Sequence, residues 1–303
     1  MRAVSFSAFG GPEVLEIIDA PVPEPGPGRI RIAVAAAGVN PYDWKLRRGL
    51  MGGEPPRRVG LEVAGHVDAL GEGVTDVRVG DTVYGFAIGG GAADYTLSAH
   101  YARIPAGLDL ITAAGLPVAL ETAFRVLDLV GIGAEGSAGQ TLLIHGASGA
   151  VGQSAVQIAR ARGARVIGTG SVANHGRLEA LGAEPVAYGE GLLGRVREMT
   201  DGRGVDAAVD AAGGGVLGDL VALTGDPARV VTIADFDGAG DHGVTASGQN
   251  SAFYGLTAVA ELLDRRAYRP PAVEVHPLAE VATAQARSEA GHLGAVKLVL
   301  SLD

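Results

Sequence analysis

The run Leu142-Leu143-Ile144-His145-Gly146-Ala147-Ser148-Gly149-Ala150-Val151-Gly152 carries the plainest chemistry in the chain. An apolar stretch feeds a glycine-rich turn, and an apolar helical pattern follows. A strand, turn and helix in that order present backbone N–H groups and the positive end of a helix dipole to a phosphate. Gly149 lets the backbone come close to a pyrophosphate, and Gly152 lets the helix lie close on the sheet. Ala147 takes the first glycine position, so the pattern is AxGxxG. Ser148, Gly149, Ala150, Val151 and Gly152 are therefore read as dinucleotide-binding. In NAD-binding chains an acid about 20 residues further on holds the ribose 2′-OH. Here that place reads Thr169-Gly170-Ser171-Val172-Ala173-Asn174-His175-Gly176-Arg177, with no carboxylate. Ser171, Asn174 and Arg177 can donate to a 2′-phosphate, which favours NADPH over NADH.

A strand must deliver that turn and a helix must receive it. Thr141–His145 reads as a buried strand and Ala150–Arg162 as a helix ended by Gly163. The alternation continues with a strand at Arg165–Gly168, a helix at Asn174–Leu181 ended by Gly182, and strands at Val205–Val209 and Arg229–Ala234 flanking a helix at Val216–Leu223. Strands alternating with helices predict a parallel, doubly wound α/β sheet. Ile111–Val130 and Phe253–Arg266 have helical spacing, and Pro270-Pro271 stops the latter. A strand at Val273–Val275, a helix at Leu278–Ala290 and a strand at Val296–Leu302 follow. The first 110 residues differ. Arg29–Val34 alternates with period two, and short apolar runs at Val63–Val67, Thr82–Phe86 and Tyr95–Leu97 are parted by glycine-rich turns. That pattern predicts a small barrel or sandwich.

Composition removes several classes of function. Among 303 residues, 24 Lys and Arg face 34 Asp and Glu, a formal charge of −10 that argues against nucleic acid or an anionic membrane as partner. The absence of cysteine excludes disulfides, thiolate zinc sites, iron–sulfur clusters and a Cys nucleophile. No apolar run is long enough to span a membrane, and the N-terminus lacks the apolar run of a signal peptide, so a cytoplasmic protein is expected. Only two of the basic residues are lysines, Lys45 and Lys297.

Several segments, in this order, resemble the medium-chain dehydrogenase/reductase superfamily, in its zinc-independent, quinone oxidoreductase-like branch. They are Gly38-Val39-Asn40-Pro41-Tyr42-Asp43-Trp44-Lys45, Gly60-Leu61-Glu62-Val63-Ala64-Gly65, Val79-Gly80-Asp81-Thr82-Val83, Leu116–Ala123, the glycine-rich turn and Gly204–Asp210. The resemblance implies a GroES-like, β-rich catalytic domain over residues 1–118, completed by 264–303, and a Rossmann domain over 119–263. It also implies a homodimer and a site in the cleft between the domains. Zinc-dependent relatives have Cys where Asn40-Pro41 lies and His before the Glu, where this chain has Leu61. No metal is expected. Hydride addition to a conjugated carbonyl or a quinone spreads its own charge, so hydrogen-bond donors can replace a metal. The expectation is an NADPH-dependent reductase of an enone or quinone. An enoyl or iminium reductase of a biosynthetic pathway, or a non-catalytic NADPH-binding regulatory protein, stands beside it. By resemblance, nicotinamide and substrate contacts fall at Asn40, Thr122, Ala234, Phe253 and Tyr254. Asn40-Pro41-Tyr42-Asp43 reads equally as a helix cap. Many relatives place a proton-donating Tyr near the position of Lys45, so Lys45, Tyr42 and Asn40 are the catalytic candidates. Glu121 either shapes substrate preference or caps a helix.

Overall fold

A computed structural model describes residues 1–133, 137–291, 293 and 295–302. The chain forms two compact units, Met1–Val118 with Pro270–Asp303, and Ala119–Arg269. The return to the first unit thus begins at Pro270 rather than at residue 264, because Tyr268 and Arg269 are still bonded to Ser154 and Gln157 of the second unit.

In chain order, the elements begin with β1 (Arg2–Phe6), β2 (Glu16–Asp19), β3 (Ile30–Gly38), α1 (Pro41–Arg47), β4 (Arg57–Arg58), β5 (Glu62–Leu70), β6 (Thr82–Phe86), β7 (Tyr95–Ser98), β8 (Tyr101–Arg103) and α2 (Leu110–Ala114). They continue with α3 (Pro117–Leu129), β9 (Thr141–His145), α4 (Ala150–Ala161), β10 (Arg165–Gly170), α5 (His175–Ala180), β11 (Glu184–Ala187), α6 (Leu192–Met199) and β12 (Ala207–Asp210). Then come α7 (Leu217–Thr224), β13 (Val230–Thr232), α8 (Phe236–His242), β14 (Thr245–Ala246), α9 (Gly255–Asp264), β15 (Ala272–Pro277), α10 (Val281–Ala290) and β16 (Val296–Ser301).

Among the described residues, the first unit holds a sheet in the order β15-β16-β3-β5-β6-β8, with β7 also on β3, and a small sheet β2-β1-β4. Its core gathers Phe6, Ile30, Ile32, Val63, Val83, Val281, Leu298 and Leu300. The end of β3 is the junction that matters for function. Gly38 pairs with Glu62 of β5 on one side and with Val299 of β16 on the other. Residues distant in sequence therefore converge where α1 begins.

The expected single helix over Ile111–Val130 is two helices. Gly115 ends α2, and Pro117, which has no N–H to donate, starts α3.

The second unit is a parallel sheet in the order β11-β10-β9-β12-β13-β14. β9 is buried on both faces. Leu142 and Ile144 join the core with Leu127, Val156 and Val209, whereas Leu143 joins Ile167, Val196, Leu217 and Val230. That double burial explains why β9 reads as an uninterrupted apolar run. The strand order reverses at β9 and β12, so their carboxyl ends form the crevice where such sheets take ligands. Sequence patterning missed α8 and β14. Asp235-Phe236-Asp237-Gly238-Ala239-Gly240-Asp241 is poor in helix formers, and the helix relies on Asp235, whose Oδ1 accepts the Gly238 N–H at 2.9 Å.

Candidate functional site

In the second unit, β9 ends at His145, and Gly146 turns the chain with φ +79°. Gly149 is the N-cap of α4, and the first helical bond runs from Gln153 N–H to Gly149 O at 2.8 Å. The N–H groups of Ala150, Val151 and Gly152 precede that bond and have no helical acceptor. A Cβ at Gly149 would find only Gly146 O, at 3.5 Å, so this face of the turn is open. A Cβ at Gly152 would lie 2.3 Å from Gly146 O and 2.6 Å from Ala147 Cα. Gly152 thus serves close packing, and Gly149 leaves room for a ligand.

A buried polar chain holds this edge of the sheet. Gly146 N–H donates to Thr169 Oγ1 at 3.0 Å, and that hydroxyl lies 3.0 Å from His145 Nδ1. The Thr169 hydroxyl accepts from Gly146 N–H and, with a second lone pair and its own proton, can pair with His145 Nδ1 in either tautomer. Burial pushes His145 below the usual imidazole value, against the opposing charge of Asp210. Asp210 accepts from Ala212 N–H at 3.0 Å, Gly213 N–H at 2.7 Å and the Thr232 hydroxyl at 2.7 Å. Thr232 Oγ1 in turn accepts from the N–H groups of Ala234 and Asp235, at 3.1 and 3.0 Å. Ala234 is thereby fixed at the same edge as the turn.

Past β10 the structure gathers the anticipated donors. Asn174 Nδ2 donates to Ser171 Oγ at 3.1 Å, Arg177 Nε to Gln153 Oε1 at 2.7 Å, and Gln153 Nε2 to Ser148 O at 2.8 Å. Ser148, Ser171, Asn174 and Arg177 form one neighbourhood without a carboxylate between them. A dinucleotide fits: there are unbonded N–H groups for its pyrophosphate and donors past the second strand. Tyr254 does not belong here. Its hydroxyl donates to Asp128 and accepts from Arg162 at 3.3 Å. Arg162 caps the C-terminus of α4, about 18 Å along the helix from the turn at 1.5 Å per residue.

Thr122 lies in a buried network that the sequence reading did not foresee. Glu121 is fully buried on α3 and pairs with Arg125 at 2.9 Å. Its Oε1 also accepts the N–H groups of Ser251 and Ala252, at 2.8 and 3.1 Å. Arg125 donates to Ser247 O at 3.0 Å and to Ser247 Oγ. Glu121 thus neither lines an open pocket nor caps its own helix. It ties down the backbone that leads to Phe253, with the Thr122 hydroxyl 3.3 Å from Glu121 Oε2.

The first unit holds a second buried cluster. Lys297 Nζ lies 2.7 Å from Glu62 Oε1 and donates to Asn40 Oδ1 at 2.6 Å. Asn40 Nδ2 donates to Glu62 Oε1 at 2.9 Å, and Val118 N–H to Glu62 Oε2 at 2.7 Å. Asn40 is the N-cap of α1 by its backbone, but its amide is committed to Glu62 and Lys297. Asp43 completes the cap, accepting from Asn40 N–H at 2.8 Å and from Gly60 N–H at 2.9 Å. Burial pushes Asp43 up to about 6, against those N–H donors and Lys297. Two glycines make room. A Cβ at Gly38 would meet Glu62 Oε1 at 2.2 Å, and one at Gly115 would meet Lys297 Cγ at 2.7 Å. Lys297 was missed from sequence. The available signal was one of only two lysines, set between Val296 and Leu298 in a chain that otherwise uses arginine. Lys45 sits in the last turn of α1, half-exposed, its ammonium 5.7 Å from the Trp44 ring centroid. Tyr42 packs on the core of this unit.

Comparison with known proteins agrees with these two units. The family "Alcohol dehydrogenase GroES-like domain" matches residues 26–116, and "Zinc-binding dehydrogenase" matches residues 150–257. A quinone oxidoreductase of Lama guanicoe is 35% identical over 242 residues, 77% of this chain and 72% of that protein. The solved quinone oxidoreductase of Coxiella burnetii superposes with a TM-score of 0.83 at 29% identity, covering 100% of this chain and 99% of that one. A mycobacterial protein solved in complex with NADPH superposes with a TM-score of 0.85 at 28% identity, covering 99% of this chain and 100% of that one.

The second family's description names zinc, and the residues present do not suit it. Leu61 has no donor atom, the Asn40 amide is hydrogen-bonded, and an ammonium occupies the face of Glu62 that a cation would seek. Among the described residues, no three His, Asp or Glu side chains gather as a metal site, and no helix is long and apolar enough to cross a membrane.

Proposed function

Because the chain belongs to the medium-chain dehydrogenase/reductase superfamily, in its quinone oxidoreductase-like branch, we propose that it is a metal-independent reductase that uses NADPH to reduce a conjugated carbonyl or a quinone. The observation that supports this reading is that Leu61 has no donor atom where the resemblance puts a ligating His, while the neighbouring Asn40 amide and Glu62 are already held by the Lys297 ammonium. A built-in ammonium there repels a divalent ion and leaves no Lewis acid for an isolated carbonyl. A substrate that delocalises its own developing charge needs only hydrogen-bond donors.

When bound, NADPH supplies the hydride. The N–H groups of Ala150, Val151 and Gly152 receive its pyrophosphate, and Ser171, Asn174 and Arg177 receive its 2′-phosphate. Arg177 Nε is turned to Gln153, which leaves both Nη groups for the phosphate. Thr122, Ala234 and Phe253 border the nicotinamide. Tyr42 or Lys45 returns the proton to the enolate or phenolate.

Purified protein, freed of divalent metal by chelation, should oxidise NADPH in the presence of a simple quinone or enone, and NADH much more slowly. Ser171→Asp should weaken NADPH binding about tenfold or more, since a carboxylate there repels the 2′-phosphate. No turnover of any quinone or enone, or activity only after zinc is restored, overturns the reading. An NADH preference in the wild type removes its cofactor part.

A further inference from the structure

A cavity of about 290 Å³ opens in the first unit, lined by Tyr42, Leu46, Arg57, Arg58, Leu61 and Ala87 among others. That volume lies at the small end of ligand sites. Leu46, Leu61 and Ala87 make one part of the wall apolar. The rest is unusually rich in unspent donors. Among the described residues, neither the Tyr42 hydroxyl nor the Arg58 guanidinium makes a hydrogen bond or an ion pair. Arg57 uses Nη1 on Gly52 O at 2.8 Å and meets no carboxylate. Arg57 and Arg58 are consecutive on β4, where Arg58 pairs with Ser5 and Arg57 with Phe6 of β1, so their side chains leave opposite faces of the strand.

Asp43 is the one carboxylate in this wall, and it does not neutralise the arginines. It forms no ion pair with either of them, and its two oxygens are occupied by the N–H groups of Asn40 and Gly60. In a chain of net charge −10, a guanidinium that meets no carboxylate among the described residues makes this wall locally positive. A guanidinium binds a carboxylate in fork-to-fork fashion, and a phenol hydroxyl adds a third donor. The cavity also borders Leu61 and Asp43, next to the Asn40–Glu62–Lys297 cluster, so a ligand held here lies beside the candidate catalytic residues of this unit.

We propose that this cavity binds the carboxylate of a small anionic enone, with the Arg58 guanidinium on the carboxylate and the carbon skeleton against Leu46, Leu61 and Ala87. The enone part rests on the reductase reading above, and the carboxylate part rests on the cavity.

The test uses the full chain with NADPH and a matched pair of probes, (E)-4-oxo-4-phenyl-2-butenoate and its methyl ester. The wild type should favour the carboxylate in kcat/KM. Arg58→Leu should lower kcat/KM for the carboxylate by about 10- to 100-fold, the range of one charge-assisted contact. The same variant should leave the ester within about twofold, as it removes no contact the ester uses. Arg58→Gln, which retains a polar head, replaces it if the leucine variant does not fold. Equal turnover of the two probes, or an equal loss for both in the Arg58 variants, overturns the anionic site and leaves the reductase reading standing. If neither probe is reduced, the reductase reading is decided separately by quinone turnover, and calorimetric binding decides the site. Arg58-dependent binding of the carboxylate upholds it, and binding that is absent or indifferent to Arg58 removes it.

Discussion

Two buried glutamates, Glu62 in the first unit and Glu121 in the second, are each matched by one basic side chain, and they differ in reach. Glu121 and Arg125 stand four residues apart on α3, so the pair is available as soon as that helix winds. Glu62 and Lys297 belong to β5 and β16, and Lys297 also grips Asn40 from 257 residues away. This cluster exists only once the last strand has docked on β3. The basic groups differ in kind as well. The guanidinium of Arg125 forks to a carboxylate and onward to Ser247, which suits a clamp on a loop. The ammonium of Lys297 is compact, which suits a buried point between one carboxylate oxygen and one amide oxygen. One cluster orders the backbone at 247–252, and the other holds the start of α1 to β5 and β16.

The comparison breaks most visibly at Lys297. Lys297→Met leaves Glu62 buried with only the Asn40 amide and the Val118 N–H, and breaking a buried pair on one side costs about 3–5 kcal/mol. Urea unfolding should show a loss of that order. Adding Glu62→Gln should restore much of it, because the uncompensated charge is then gone. A loss below about 1 kcal/mol, the value of an exposed pair, refutes the buried-pair account.

Asp43 sharpens the same contrast through pH. Its carboxyl is pushed up to about 6 from 3.8 by burial. The protonated form therefore favours the fold. That contribution is complete below pH 3.8 and is lost as pH rises through about 6. The swing is of order 3 kcal/mol, at 1.36 kcal/mol per unit. Asp19, Asp81, Asp109, Glu184 and Glu289 are shifted in the opposite sense, so the readout is the stability of wild type minus that of Asp43→Asn. This difference should fall between pH 4 and 7. A flat difference shows that Asp43 is ionised throughout, its two N–H donors outweighing burial.

What was legible in the sequence follows the same division. The glycine-rich turn was readable because its working parts are contiguous. One strand, one turn and one helix write themselves into residues 141–161, and the structure places β9 at Thr141–His145 as expected. The neighbourhood of Ser171, Asn174 and Arg177 was readable for a related reason, as it follows the next strand at a fixed offset. The first-unit cluster was not. Asn40 was legible as a cap because a cap is local, but its amide is claimed by Glu62 and Lys297, which no local pattern joins to it. Tyr254 erred in the opposite direction: its position in the chain suggested the cofactor, and packing on Phe124 with a bond to Asp128 carried it elsewhere. The Glu121–Arg125 pair had a visible i,i+4 spacing. What that spacing could not show was the loop at 247–252 that the pair holds.

The smallest expected effect tests whether that loop is clamped by charge or by shape. Arg125→Lys retains a cation beside Glu121 but cannot reach Glu121 and Ser247 together, because an ammonium on a flexible stem lacks the planar fork. The lost contacts to Ser247 are charge-assisted, yet Ser247 lies near the surface, so the stability change should be about 1–2 kcal/mol. Glu121 still accepts from Ser251 and Ala252, which holds the nearer half of the loop. The sharper readout is NADPH binding. If the clamp positions Phe253 for the nicotinamide, Arg125→Lys should weaken NADPH by about three- to tenfold, since part of the binding energy goes into ordering the loop. Lys297→Met, assayed where it is folded, should leave NADPH affinity unchanged. Should Lys297→Met weaken NADPH as much as Arg125→Lys does, the division of labour between the two clusters fails. Should neither variant affect it, the clamp serves the fold of the second unit alone.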